Sequence, residues 1–87
     1  MSYRIEFDPK AIEDLKGMPS KVQLQILRKI NWLGLNFEQV QPKGLTDNLA
    51  GFYKLRVGDY RVLCEIEGEL KVIEIARVGH RHEIYDL

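Results

Sequence analysis

Eighty-seven residues leave room for one domain, 1–87, with a single hydrophobic core. Thirteen basic and thirteen acidic side chains cancel, which argues against a chain that coats nucleic acid nonspecifically and leaves only a local basic patch open. One cysteine excludes an internal disulfide framework and fits a reduced, cytoplasmic setting, and no apolar run approaches the roughly 20 residues of a membrane span.

Residues 3–7 alternate, with Tyr3, Ile5 and Phe7 on one face and Arg4 and Glu6 on the other, as a half-buried strand does. The N-terminus carries acid and no apolar stretch, so it does not read as a signal peptide. Asp8 then suits an N-cap and Pro9 the first helical position. The helix they start carries Ala11, Ile12 and Leu15 and stops at Gly17. Ser20 and Gln23 have the spacing of a capping box, with Gln23 reaching back to Ser20. Val22, Ile26, Ile30 and Leu33, with Leu27 and Phe37 beside them, predict a long amphipathic helix that pairs antiparallel with the first. Trp32 on that helix reads as packing or as a partner contact. Residues 38–48, with Pro42, Gly44 and Asn48, predict a loop.

Residues 52–57, 60–66 and 70–78 predict three strands, joined by two-residue turns at Gly58-Asp59 and Glu67-Gly68. The order β-α-α-β-β-β gives an α+β fold, a helical hairpin packed on one face of a small, mainly antiparallel four-stranded sheet. The first turn sets Val57 opposite Tyr60, Arg56 opposite Arg61 and Lys54 opposite Leu63. Tyr53, Leu55, Val57, Tyr60, Val62, Cys64 and Ile66 then face the helices. Phe52, Lys54, Arg56, Arg61, Leu63 and Glu65 face outward on an open, mostly cationic side. Continued through the second turn, this register puts Ile73 and Ile75 in the core and Glu74 beside Arg61. It would also turn Arg77 inward, which is costly for a charge, so a bulge or strand end is expected there.

Arg56 opposite Arg61 is unfavourable by about 0.2–1 kcal/mol unless an anion lies between them. Guanidinium groups bind phosphate bidentately, and Lys54 on the same face adds a cation able to act as a base if its neighbours depress its pKa. Gly79 is expected to turn the chain sharply after Val78, swinging His80, Arg81 and Tyr85 toward the open face, where Tyr85 offers a ring for base stacking. Such a set suits RNA cleavage by the strand's own 2′-hydroxyl, a route that needs no metal and no cofactor. Blander readings stand beside this one. Lys54 and Arg56 are ordinary strand cations; Arg61 pairs with Glu74 or Glu65; His80 and His82 lack companions for zinc; Cys64 is core filler; Asp8 is only a cap.

The segment Tyr53-Lys54-Leu55-Arg56-Val57-Gly58-Asp59-Tyr60-Arg61-Val62 and the ending Arg77-Val78-Gly79-His80-Arg81-His82-Glu83-Ile84-Tyr85 resemble the RelE/ParE toxin superfamily, on its RelE side. The resemblance spans essentially the whole chain. It implies the toxin of a type II toxin–antitoxin system, an mRNA interferase that enters the ribosomal A site and is held inactive by a RelB-like antitoxin. It implies Lys54 for base chemistry or phosphate contact and Arg61 for the transition state. It further implies Arg81 for the leaving group or phosphate and Tyr85 for stacking on the mRNA. Arg56, Arg77, His80 and His82 complete the set as RNA contacts. Phe52 stands where a well-studied relative has a second lysine, so His80 or His82 is expected to share the proton work. Two further classes stay open: a ParE-like inhibitor of DNA gyrase, and a non-catalytic homologue that only binds antitoxin.

Overall fold

The computed structural model describes residues 2–40 and 51–84. In chain order they form β1 (Arg4–Phe7), α1 (Pro9–Lys16), α2 (Ser20–Val40), β2 (Phe52–Val57), β3 (Tyr60–Glu67), β4 (Val72–His80) and a one-turn α3 (Arg81–Ile84). The four strands lie in the order β1-β4-β3-β2, with β1 parallel to β4 and the other pairs antiparallel. This is the expected α+β arrangement, extended by α3.

Local chemistry sets the element boundaries. Asp8 caps α1 by accepting a hydrogen bond from the Lys10 amide at 2.8 Å, with Pro9 just behind it. Gly17 ends that helix in a right-handed conformation. The capping box at Ser20 does not form. The Gln23 amide donates to the Pro19 carbonyl at 3.0 Å, so the helix has already begun at Ser20. The Gln23 side chain instead donates to the Met18 carbonyl at 2.8 Å. α2 runs on to Val40, through the start of the predicted loop; residues 41–50 lie outside the described ones.

The core lies between the helices and one face of the sheet. Ala11 and Leu15 of α1 join Ile26, Ile30, Leu33 and Phe37 of α2 over Leu55, Val62, Cys64, Ile66, Ile73, Ile75 and Val78. Fully burying a side chain such as Ile30 stabilises the fold by about 1.5–3 kcal/mol. α1 packs on β4, and α2 spans β1 and β2. Gly34 lets α2 approach β1: the Tyr3 amide donates to its carbonyl at 2.8 Å, and a Cβ there would lie 3.0 Å from Ile5 Cδ1 and 3.1 Å from the Tyr3 carbonyl oxygen. Burial pushes the Cys64 thiol up to about 12, so it stays protonated as filler.

The β2–β3 register is as expected: Val57 faces Tyr60, Arg56 faces Arg61 and Lys54 faces Leu63. Gly58, with φ of 58°, supplies the left-handed conformation that this turn needs. The second turn departs from expectation. Glu67 pairs with Val72, so four residues, Gly68 to Lys71, make the connection, and Lys71 takes the left-handed conformation at φ 54°. Lys71 also reaches Glu38 at the end of α2, at 2.6 Å. A turn two residues longer that also starts one residue later shifts the register by four, placing Glu74 opposite Glu65 instead of beside Arg61. The bulge expected near Arg77 is present. Leu63 pairs with Arg77 and Cys64 with Ile75, leaving Ala76 unpaired. That extra residue returns Val78 to the core and keeps Arg77 out of it.

Candidate nucleic-acid interface

Three rows cross the open face. Arg56 of β2 sits opposite Arg61 of β3, which faces Gly79 of β4. The next row is Lys54, Leu63 and Arg77. The third is Phe52, Glu65, Glu74 and Glu6. The face is therefore sorted, not uniformly cationic: cations gather toward the β2–β3 turn and carboxylates toward the far end. Arg61 and Glu65 are four residues apart on β3, about 13 Å.

At the cationic end the side chains are accessible. Lys54 and Arg56 are exposed and Arg61 is half-buried. Arg56 forms no ion pair among the described residues. Arg61 does not pair with Glu74 or Glu65. Its Nη1 donates to the Gly58 carbonyl at 3.0 Å and to the Tyr60 carbonyl at 2.9 Å. Neutral carbonyls hold the guanidinium in place, and among the described residues no carboxylate pairs with it. The Arg81 amide donates to the Asp59 carbonyl at 2.8 Å. Both residues of the Gly58-Asp59 turn thus anchor an arginine, one by its side chain and one by its backbone.

The tail reaches the open face by a different route from the one expected. β4 continues to His80, and Gly79 is a buried strand residue, not a sharp turn. Its missing side chain makes room for α3. A Cβ there would lie 3.2 Å from Ile84 Cγ1 and 3.4 Å from Glu83 Oε1. Ile84 is 2% exposed yet stands apart from the main core cluster, buried on the opposite side of the sheet. Glu83 secures the turn by accepting from the His80 amide at 2.9 Å. Tyr85 lies outside the described residues.

His80, Arg77 and His82 do not join the arginine row. His80 pairs with Tyr60, whose side chain faces the helices, and the two rings meet edge-on at 5.9 Å. His82 stacks on His80 at 5.0 Å. Arg77 bonds Asp14 of α1, Nε to Oδ2 at 2.8 Å and Nη2 to Oδ1 at 3.2 Å. The Val78 amide donates to the same carboxylate at 3.0 Å, just past the point where β1 stops covering β4. Partial burial opposes the charge on Asp14. The bonds from Arg77 and Val78, with the guanidinium charge, outweigh it and hold the carboxyl below its ordinary range. Sequence reasoning missed Asp14, because nothing local marks a partner 63 residues away. It also missed the glutamate row, because an exposed Leu70 reads as a strand residue and hides the longer turn.

At the acidic end, Arg4 pairs with Glu6 at 2.9 Å, but Glu65, Glu67 and Glu74 stand close together around a shallow depression. Desolvation, then repulsion from Glu65, Asp8, Glu6 and Glu67, raises the Glu74 pKa. Among the described residues no group of three histidine, cysteine or carboxylate side chains is placed to hold a metal ion.

The chain belongs to the family described as ParE toxin of type II toxin–antitoxin system, parDE, whose family model matches residues 5–85. It is 33% identical over 86 residues to the toxin RelG of Mycobacterium tuberculosis, covering 98% of each chain. It is 31% identical to the toxin RelE3 of Methanocaldococcus jannaschii, covering 95% of this chain and 96% of that one. Its fold is similar to a chain of the RelBE2 toxin–antitoxin complex of Mycobacterium tuberculosis, with a TM-score of 0.75 at 30% identity, covering 93% of this chain and 100% of that one. The chain is thus a RelE-type toxin of a type II toxin–antitoxin system, as its two sequence segments led us to expect.

Proposed function

We propose that this toxin is a ribosome-dependent mRNA endonuclease that cuts by 2′-hydroxyl attack and is silenced in the cytoplasm by a RelB-like antitoxin. The observation that carries this reading is the arginine row, Arg56 beside Arg61, with Arg61 and Arg81 both fastened to the Gly58-Asp59 turn. A phosphodiester laid across that row would relieve the repulsion between the guanidinium groups. The 2′-oxygen attacks phosphorus and the bond to the 5′-oxygen breaks, leaving a 2′,3′-cyclic phosphate and a 5′-hydroxyl. Arg61 stabilises the phosphorane and Arg81 the leaving oxygen; the 2′-hydroxyl proton passes to Lys54, or to solvent where Lys54 holds the phosphate, the 5′-oxygen takes a proton from solvent, and Tyr85 stacks on the message. Arg56 contacts the backbone. In this reading Arg77, His80 and His82 support the site from its margin: Arg77 by fixing β4 to α1, the histidines by bracing the start of α3.

The test is induction in a bacterial host with mapping of mRNA 5′ ends. New ends should fall at in-frame codon positions of translated messages only. Arg61→Ala and Arg81→Ala should each abolish them and relieve growth arrest while far-UV circular dichroism stays unchanged. Full toxicity in both variants removes the site. The family description, which names ParE, favours one other reading, a toxin directed at DNA gyrase; it would give arrest with DNA damage and no new mRNA ends.

A further inference from the structure

α2 carries a second cationic surface that the cleavage reading does not use. Between Ser20 and Phe37 its charged side chains are Lys21, Arg28 and Lys29, all basic; the first acid is Glu38. At about 100° per residue, Lys21, Gln25, Arg28, Lys29 and Trp32 fall within an arc of about 100°. That arc lies to one side of the buried stripe Ile26, Ile30, Leu33 and Phe37. Lys21, Gln25, Arg28 and Trp32 are exposed. Lys29 is held in place, its Nζ 4.3 Å from the centre of the Trp32 ring. Gln25, Arg28, Lys29 and Trp32 line a shallow cleft closed by Val57.

Val57 is the last residue of β2, an edge strand of the sheet. Lys54 and Arg56 project from the other side of that strand. Cations therefore flank one sheet edge on both sides. From Lys21 to Trp32 the strip is about 16 Å long, enough to face several backbone phosphates.

We propose that this strip of α2 is a second RNA-binding surface, which grips sugar–phosphate backbone outside the segment lying on the arginine row. This rests on the RNA-directed reading above and extends it: the toxin would hold polynucleotide on both sides of β2. A wholly basic strip suits a polyanion, and its continuity with the arginine row around one edge favours the same polyanion on both.

Trp32 is the chain's single tryptophan, so its emission reports on this surface directly. The full chain is titrated with a short synthetic RNA hairpin at several salt concentrations. RNA should change Trp32 emission. Arg28→Gln combined with Lys29→Gln should weaken binding roughly tenfold and reduce the salt slope by about two. Lys21→Gln with Arg28→Gln, both at exposed positions, should weaken it similarly and guards against a folding defect. Arg61→Ala should keep the Trp32 response, so failure of the cleavage site and failure of this surface are separable. The proposal is overturned if RNA binds with Trp32 emission unmoved, or if both α2 variants bind as the native chain does. It is also overturned if polyglutamate matches the RNA response, which would assign the surface to an acidic protein partner.

Discussion

Arg61 and Arg77 show how differently two arginines of one sheet are used. Arg61 directs its donors to neutral carbonyls, whereas Arg77 bonds a carboxylate. Asp14 is the residue on which the second arrangement turns. Replacing it with alanine leaves the buried Val78 amide without an acceptor, at a cost of about 1–3 kcal/mol, read as a lower urea midpoint at neutral pH. Its folded pKa is depressed, so its contribution is full above the ordinary carboxylate range and is lost as pH falls through the lowered value. The gap between Asp14→Ala and the native chain should therefore close in strong acid. A gap that persists unchanged there would show that the carboxylate charge is not the cause. The pairing of Arg56 with Arg61 was legible because a two-residue turn with glycine fixes its own register. The partner of Arg77 was not, since only the assembled α1 and β4 bring Asp14 to it.

At the level of elements, α3 owes its position to an absent side chain. Valine at position 79 would press on Ile84, whose nearest carbon is 3.2 Å from the site of a Cβ. Gly79→Val should loosen α3, seen as faster hydrogen exchange of the amides of residues 81–84, and should lower mRNA cleavage with little change in the core. Adding Ile84→Ala should restore much of the slow exchange. If the second change deepens the loss, crowding at Gly79 is not what holds α3. The sequence marked Gly79 as special, for the wrong reason: glycine serves close approach as well as turning. Helices and strands were otherwise readable from apolar spacing, and the bulge from the cost of burying Arg77. The second turn was misjudged, because Leu70 is apolar yet 75% exposed.

Across the whole molecule, neutrality conceals a separation. The Glu6, Glu74 and Glu65 row stands at the far end of the face from Arg56 and Arg61. Glu74 has a raised pKa, so its ionised form disfavours the fold at neutral pH, a penalty that fades as pH falls through the raised value. Glu74→Gln should accordingly raise the denaturation midpoint at neutral pH, with the advantage shrinking in acid; a loss of stability at neutral pH would mean the carboxylate has a partner that outweighs its neighbours' repulsion. The arginine row itself was foreseeable from alternation; its acidic counterpart depended on the length of one turn.

A sheet face with cations at one end and carboxylates at the other carries a dipole of its own, whatever the chain's net charge. In the field gradient near a polyanion such a toxin feels a torque before any atom touches, and rotates until its guanidinium end leads. Its encounter rate should consequently drop as electrolyte is added, as a basic protein's does, even though its charges sum to nothing.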